Sequence, residues 1–456
     1  MNFLNEILDS LGLGESRSED RLTLTGVGEL PSYFDVTGLA AASFSAAGLE
    51  LARISSSDAE RPRRVQVDQR LASHWFGWSI RPQGWELPSA WDDFAGDYRT
   101  RDGWIRLHTN VPAHRAAALR VLSGVRDSKS AKAEILNRSG EELETEIVGE
   151  GGCAAEMRSL VQWQEHTHGI AVAQTPLVTW GSPKSCPVDR VAIDSRRPLA
   201  NVKVLDLTRI LAGPVASRFL ASCGADVLRI DPPGWDEPGV IPEVTLGKRC
   251  AGLDLKDAGD RSVFEGLVKS ADVLVHGYRA GAMEGLGYDE ETLSAMNPEL
   301  INVSLNAYGW AGEWKTRRGF DSLVQMSTGI ADFGMQQSGL DRPRPLPVQA
   351  LDHATGYLLA AAVLSSWGRR KRGEMRSAKL SLARTAHLLC ATVSTEYGGD
   401  FGSLNDDEID PRVEATDWGP ARRVRWPLQV DGVEFKWEFP ASRLRSARPV
   451  WRGATG

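Results

Sequence analysis

Residues 202–231 read VKVLDLTRILAGPVASRFLASCGADVLRID, and this stretch decides the fold. The apolar run VKVLDL predicts a buried strand, AGPVASRFLASCG predicts a helix that ends at a glycine, and ADVLRID predicts the next strand. A strand, a helix and a strand of these lengths form a βαβ unit, which joins two parallel strands. The stretch therefore predicts a parallel sheet with helices on both faces.

The same alternation continues towards the C-terminus. DRSVFEGLVKSADVLVHGY (260–278) predicts a helix and then a strand, and LINVSLNAYG (300–309) predicts a further strand. The sequence thus predicts the α/β class: a doubly wound, Rossmann-like parallel-sheet domain at 198–345, accompanied by a smaller α+β domain.

Composition excludes several classes of protein. The chain has 456 residues, enough for two or three domains, and a net charge of −7, which argues against nucleic-acid and membrane-surface binding. Its 5 cysteines are scattered without a C-x-x-C pair, so we expect neither a disulfide framework nor a metal site. We find no secretory signal pattern and no apolar run near the ~20 residues of a membrane span. We therefore expect a cytoplasmic protein.

Two distant segments of the chain resemble one another. FDVTGLAAASFSAAGLELAR (34–53) is similar to LDHATGYLLAAAVLSSWGRR (351–370). When they are aligned on their first glycines, Phe34 falls opposite Asp352, although a gap of one residue places Asp35 there instead. This pattern indicates a duplicated segment rather than a solenoid repeat.

Asp352 is the one carboxylate at the start of an apolar, small-residue segment. It could simply complement the helix dipole, but Thr355 is a better cap for such a helix. The alternative is a nucleophile that helix N–H groups keep ionised in an apolar pocket. Local sequence alone leaves both interpretations open.

Several blocks, in order, resemble the family III CoA-transferases. The block at 198–234 is similar to the family's opening, and 246–288 is similar to its next block, with HGYRAG where the family has ENFRPG. The block at 300–329 resembles the one that follows, and Asp352 with Gly356 matches the family's acid-x-x-x-Gly motif. The order of the blocks is specific, although no single block is.

The resemblance implies a mechanism and a set of site residues. The family aspartate, here Asp352, attacks an acyl-CoA thioester, forms a mixed anhydride and then an aspartyl-CoA thioester, and passes CoA to an acceptor acid. The implied substrates are acyl-CoA and a small carboxylic acid, with no permanently bound cofactor and no metal. The implied assembly is a homodimer with interlocked chains. The implied CoA-binding residues are Arg209, Ile210, Leu211, Ala212, Lys248, Arg249, Tyr278 and Arg279.

The order of the chain departs from the family. Residues 28–180 resemble the half that follows the aspartate in family members, and that half begins again after Asp352 and ends early. The sequence also lacks the glycine-rich loop that some members close over the aspartate. We therefore predict four parts in a permuted arrangement: 1–180 resembling the post-aspartate half, 181–197 as a linker, 198–345 as the CoA-binding domain, and 346–456 as the aspartate helix with a truncated second copy.

Three rival functions are weaker. A nicotinamide enzyme would need G-x-G-x-x-G in the first turn, where this chain has TRILAGP. An α-methylacyl-CoA racemase of the same superfamily would need a histidine where Phe320 stands, and His353 is the only obvious substitute in the sequence. A non-catalytic CoA-binding protein would have no use for Asp352.

Overall fold

The structure is a computed structural model that describes residues 2–13, 21–56, 63–188, 194–399 and 401–453. Its α-helices lie between Asn2 and Cys390. In chain order they are α1 (Asn2–Leu11), α2 (Val36–Ser55), α3 (Gln69–Trp75), α4 (Pro112–Val121), α5 (Ser128–Ile135), α6 (Gly140–Gly149), α7 (Leu160–Glu165), α8 (Thr167–Ala173), α9 (Ala212–Ser222), α10 (Ile241–Val244), α11 (Ala258–Lys269), α12 (Ala282–Gly285), α13 (Glu290–Met296), α14 (Asp321–Ser327), α15 (Ile330–Ser338), α16 (Ala350–Arg369) and α17 (Leu382–Cys390).

The strands are short and are distributed over the whole chain. In chain order they are β1 (Leu22–Thr25), β2 (Val65–Asp68), β3 (Ile80–Pro82), β4 (Gly96–Arg99), β5 (Trp104–Leu107), β6 (Ala154–Glu156), β7 (Thr179–Trp180), β8 (Lys184–Ser185), β9 (Lys203–Leu207), β10 (Asp226–Asp231), β11 (Lys248–Gly252), β12 (Val273–His276), β13 (Ile301–Asn306), β14 (Glu374–Met375), β15 (Ala378–Ser381), β16 (Glu414–Thr416), β17 (Gly419–Arg423) and β18 (Leu428–Val430).

The largest sheet in the described part of the chain has seven strands in the order β11-β10-β9-β12-β13-β15-β7. All neighbours are parallel except β7, which is antiparallel to β15. The order reverses at β9, which lies between β10 and β12. In such sheets the crevice outside the carboxyl ends of the strands at the reversal is where ligands bind.

Helices cover both faces of this sheet, as the sequence predicted. On one face Val204, Val273 and Ile301 belong to a core shared with α9 and α16. On the other face Leu205 and Leu274 belong to a core shared with α11 and α13. Neighbouring strand residues point to opposite faces, so a strand such as β9 is apolar on both sides. The doubly wound α/β fold is confirmed.

The sheet extends beyond the predicted domain at 198–345. It takes β15 from the segment after α16 and β7 from the N-terminal part of the chain. Within the predicted linker, β8 pairs with β14, so part of 181–197 is ordered by the C-terminal segment. The linker residues 189–193 lie outside the described part of the chain.

The duplicated segments fold alike and pack against each other. Strand β2 follows α2 and is parallel to β1 and antiparallel to β18, just as β15 follows α16 and is parallel to β13 and antiparallel to β7. Helices α2 and α16 are in contact, with the rings of Phe44 and Tyr357 3.9 Å apart. The resemblance between the two segments therefore reflects a repeated structural unit.

The two copies differ where the aspartate stands. Helix α16 begins six residues before Gly356, whereas α2 begins two residues before Gly38, so α16 is about one turn longer at its start. Asp35 lies outside α2 and its carboxylate accepts the N–H of Gly38 at 2.7 Å, as an N-cap does. Because Phe34 also precedes the helix, the first copy lacks the turn that carries Asp352.

One buried carboxylate connects three distant parts of the chain. Glu243 accepts the N–H groups of Ser79 and Ile80 at 3.1 and 3.0 Å and forms ion pairs with Arg218 and, at 3.1 Å, with Arg423. Burial raises the pKa of Glu243, but the two guanidinium groups outweigh burial and leave that pKa below its ordinary value. The carboxylate is therefore ionised and holds the N-terminal and C-terminal segments against α9 and α10.

We predict that Glu243→Gln lowers the free energy of unfolding by about 3 kcal/mol at neutral pH, because two buried cations lose their counter-charge. A carboxyl group whose pKa is lowered in the folded state stabilises the protein at pH values above its unfolded-state pKa. That stabilisation is lost as the pH falls through the folded-state pKa. As the pH falls below about 5, the free energy of unfolding should therefore decrease more for the wild-type protein than for the variant. Urea titrations over this pH range measure both effects.

Glu434→Gln is the matched control, because Glu434 forms a solvent-exposed pair with Arg196. It should change the free energy of unfolding by less than about 1 kcal/mol. Equal stability of Glu243→Gln and the control would show that the buried network does not hold the segments together.

Candidate active site

Asp352 lies in the first turn of α16, two residues after the helix begins, and only 6% of the residue is exposed. Its side chain lines a cavity of about 580 Å³, which we call the Asp352 cavity. The loops that follow β9, β10, β11 and β12 form its other walls. The sequence-predicted aspartate is thus at the carboxyl edge of the sheet, in a cavity of the size that small-molecule ligands occupy.

The spacing from the acid to Gly356 has a direct structural reason. A Cβ atom on Gly356 would lie 2.4 Å from the carbonyl oxygen of Ala212 and 2.8 Å from Cβ of Val215. Only glycine therefore lets α16 pack closely against the start of α9. At this contact the backbone N–H of Ala212 hydrogen-bonds to the carboxylate of Asp352.

A second buried acid lies directly behind the first. Asp321, at the start of α14, accepts the backbone N–H of Asp352 at 2.9 Å and also accepts a hydrogen bond from the side-chain amide of Gln325. Burial is the main reason that the pKa of Asp321 rises to about 6. Burial and the neighbouring charge of Asp321 also raise the pKa of Asp352 well above its ordinary value, although the Ala212 N–H opposes them.

This finding bears on the nucleophile interpretation of Asp352. That interpretation had helix N–H groups keep the carboxylate ionised, whereas burial and Asp321 outweigh the Ala212 N–H and raise its pKa. Two carboxyl groups so close together share their protons as a pair. A raised pKa also makes the carboxylate a stronger base and nucleophile once it is ionised.

We predict that Asp321→Asn lowers the pKa of Asp352, because the neutral amide removes the repulsion and can still accept the Asp352 N–H. The pKa should remain above that of a free aspartate, since burial is its largest cause. Carbon-13 NMR of aspartate carboxyl groups during a pH titration measures the change.

Asp332→Asn serves as the control for this titration. Asp332 is a partly buried acid on α15 that interacts with Gln336 and does not line the Asp352 cavity. It should leave the titration of Asp352 unchanged. An unchanged Asp352 pKa in Asp321→Asn would disprove the coupling.

Three of the predicted CoA-binding side chains meet in the Asp352 cavity. Arg209, Tyr278 and Arg279 all line it. The guanidinium group of Arg209 donates to the Tyr278 hydroxyl at 3.1 Å and lies over the rings of Trp235 and Tyr278, at 4.9 and 5.2 Å. Cations and aromatic rings side by side suit a ligand that has both phosphates and a flat base.

The residues after Arg209 form the wall between two cavities. Ile210 has a φ of 62°, a strained value for a β-branched residue, and its N–H donates to Glu237 at 2.9 Å. Ile210 lines the Asp352 cavity and a neighbouring one, Ala212 lines the first, and Leu211 lines the second. The predicted turn is therefore at the site, but its residues face different cavities.

The structure does not bring Lys248 and Arg249 to the cavity. Lys248 is 1% exposed and its ammonium group binds Asp206 at 3.1 Å and the carbonyl of Pro214 at 2.9 Å. Arg249 forms a bidentate pair with Asp226. The sequence interpretation placed them in a turn before a strand, whereas they are the first two residues of strand β11. They therefore lie at the amino end of that strand, away from the carboxyl edge of the sheet.

Sequence reasoning did not assign Lys256, Arg318 and His114 to the site, although all three line the Asp352 cavity. Lys256 lies after β11, on the side of the carboxyl edge of the sheet. Arg318 precedes Phe320, which also lines the cavity. His114 comes from α4, far away in sequence, so only the folded chain reveals its position.

Among the described residues, no cluster of three histidine, cysteine or acidic side chains is arranged to hold a metal ion. In the same part of the chain, no helix combines the length and apolar character needed to cross a bilayer.

Comparison with known proteins identifies the family of this region. Residues 199–420 match the model of CoA-transferase family III. The segment that contains the parallel sheet and Asp352 therefore matches that family, as the resemblance found in the sequence predicted.

Named relatives agree with this assignment. The chain is 28% identical over 292 residues to an acyl-CoA transferase of Gibberella moniliformis, covering 59% of this chain and 51% of that protein. It is 33% identical over 190 residues to a probable fatty acyl-CoA transferase of Mycobacterium tuberculosis (39% and 48%). It is 32% identical over 223 residues to a succinyl-CoA:mesaconate CoA-transferase of Haloarcula hispanica (44% and 56%). The chain thus spans about half the length of these relatives.

Proposed function

We propose that the protein transfers CoA from an acyl-CoA thioester to a carboxylic acid, with Asp352 as a covalent nucleophile. The observation that carries the proposal is the position of Asp352 in a cavity at the carboxyl edge of the sheet that is also lined by several cations. The family match of residues 199–420 supports the same chemistry.

The reaction proceeds by exchange at one carboxyl group. An oxygen of ionised Asp352 attacks the thioester carbon. The C–S bond breaks, CoA leaves as a thiolate, and a mixed anhydride of Asp352 and the donor acid remains. The thiolate then attacks the aspartyl carbonyl and releases the donor acid, which leaves an aspartyl-CoA thioester. The acceptor carboxylate attacks this thioester to form a second anhydride, and the thiolate takes the acceptor acyl group and regenerates Asp352. Covalent catalysis divides one difficult exchange into easier steps.

The surroundings of Asp352 suit these steps. Burial strips water from the carboxylate and raises its pKa, which increases its nucleophilicity. The apolar neighbours Ile230, Leu253 and Phe320 line the same cavity and limit the access of water to a reactive anhydride.

The cations of the cavity provide the binding site for CoA in this proposal. Arg209, Lys256 and Arg279 are candidates for the phosphate groups, and Tyr278 for a face of the adenine ring. The donor and acceptor acids are not assigned by these residues. The homodimer implied by the resemblance and the cytoplasmic location expected from the sequence composition remain predictions.

We predict that incubation with acyl-CoA thioesters modifies Asp352, because the anhydride and the aspartyl thioester are both covalent. Trapping with hydroxylamine, followed by peptide mass spectrometry, should find a hydroxamate at Asp352. Asp352→Ala should abolish the modification and lower CoA transfer by at least about 10³-fold.

Asp332→Ala provides the matched control and should keep both the adduct and the transfer. Transfer activity without any adduct at Asp352 would contradict the covalent mechanism. Binding of CoA without transfer would favour a non-catalytic CoA-binding protein.

One observation supports a racemase as a second candidate. His114 lines the same cavity as Asp352, and its ring lies 5.9 Å from that of Phe320, which replaces the racemase histidine. Burial lowers the pKa of His114 to about 4, so its imidazole is neutral at pH 7 and able to accept a proton. His353, the substitute considered from sequence, lines the other cavity instead.

Deuterium exchange separates the two reactions. Incorporation of deuterium at the α-carbon of an acyl-CoA in D₂O, lost in His114→Phe, would establish the racemase. Transfer of CoA without exchange would establish the transferase.

A further inference from the structure

A second cavity of about 520 Å³ lies on the other side of Ile210, and we call it the Asp321 cavity. Asp321 lines it, as do Trp78 and Trp91 from the N-terminal part of the chain. Ile210 lines both cavities, and the hydrogen bond from Asp352 to Asp321 joins their walls. The two cavities are therefore neighbours that share Ile210 as a lining residue.

The wall of this cavity holds buried polar atoms that lack hydrogen-bond partners among the described residues. They are both ring nitrogens of His108, the hydroxyl of Ser322, Nδ1 of His353 and Nε of Arg106. His108, Ser322 and His353 are 3%, 8% and 1% exposed. An unsatisfied buried polar group costs about 1–3 kcal/mol. Neighbouring atoms cover these groups in the structure, and a ligand that displaces the covering atoms would complete their hydrogen bonds.

The orientation of His108 is fixed. Its ring stacks on Phe320 with centroids 3.7 Å apart and an angle of 10°. Burial is the main cause that lowers its pKa to about 3, so the ring is neutral and presents one donor and one acceptor. Such a group matches a hydroxyl, which both donates and accepts.

The charges around the cavity disfavour an anionic ligand group. Arg106 is the one cation among the described lining residues, and it is already paired with Asp97 at 2.6 Å and stacked over Trp91 at 4.8 Å. Asp236, Glu237 and Asp321 also line the cavity. A second carboxylate on the ligand would meet like charges in a partly buried site.

We propose that the Asp321 cavity binds the body of the acyl group, and that it selects monocarboxylic acyl groups with an uncharged, hydroxyl-bearing body over dicarboxylic ones. Ser322 and His108 are the specificity-determining residues, and Trp78 and Trp91 provide apolar contact for a ring or chain. This inference rests on the proposed CoA transfer, because the acyl group reaches the cavity from Asp352.

The test measures binding separately from turnover. Calorimetry on Asp352→Asn, a variant that forms no adduct, compares the binding affinities of three thioesters. They are 4-hydroxyphenylacetyl-CoA, phenylacetyl-CoA and succinyl-CoA. We expect the hydroxylated thioester to bind at least about tenfold more tightly than the other two. Adding Ser322→Ala or His108→Phe should remove its advantage over phenylacetyl-CoA. The phenyl ring of the second substitution keeps the stack on Phe320.

Ser45→Ala is the matched control, because Ser45 is also a buried serine with no hydrogen-bond partner for its hydroxyl in the described residues, but it lies on α2 and lines neither cavity. It should keep the full preference. Equal binding of the hydroxylated and plain thioesters, tightest binding of succinyl-CoA, or an undiminished preference in both cavity variants would overturn the proposal.

The same thioesters assayed for transfer by the unmodified protein distinguish the two proposals. If Asp352→Asn binds the hydroxylated thioester selectively but the unmodified protein transfers no CoA, the cavity assignment stands and the transferase is rejected. Transfer with no preference for the hydroxyl would reject the cavity assignment and leave the transferase in place.

Discussion

The burial of α16 is the constraint on which the rest of the structure depends. Its first nineteen residues, except Trp367, are buried, and it packs against α2 on one side and α9 on the other. A helix that is apolar all round cannot lie on a surface, so two covering layers are required. The duplicated α2 supplies one layer and the doubly wound domain supplies the other. Asp352 is at the end of the helix where these layers separate and the cavities open.

This arrangement explains why one repeat carries the acid and the other does not. The extra turn of α16 carries Asp352 to the cavity at the carboxyl edge of the sheet. Helix α2 has no sheet edge of that kind before it, because β1, β2 and β18 form only a small sheet. Its Asp35 closes the helix end instead. Position in the fold, rather than the local motif, thus separates a candidate nucleophile from a helix cap.

Sequence patterns predicted the parts of the fold that depend on local order. The βαβ run, the hairpin of β4 and β5 and the repeated helix all follow from periodicity or turn residues close in sequence. Asp352, Arg209, Tyr278 and Arg279 followed from the resemblance to family motifs. The same resemblance implied Lys248, whose burial against Asp206 is visible only in three dimensions. His114, His108 and Asp97 come from a remote segment, so no local signal could place them beside the site.

The pairing of the first and last segments of the chain has a consequence for how the protein folds. Strand β18 pairs with β2, for example Leu428 with Val67, and Glu243 joins Ser79 to Arg423. The N-terminal sheet is therefore incomplete until the last part of the chain has been synthesised. Pairings over such distances in sequence are slow to form and leave strand edges exposed meanwhile. The chain thus emerges with its first sheet unfinished, and the exposed strand edges are prone to aggregation until the C-terminal segment pairs with them.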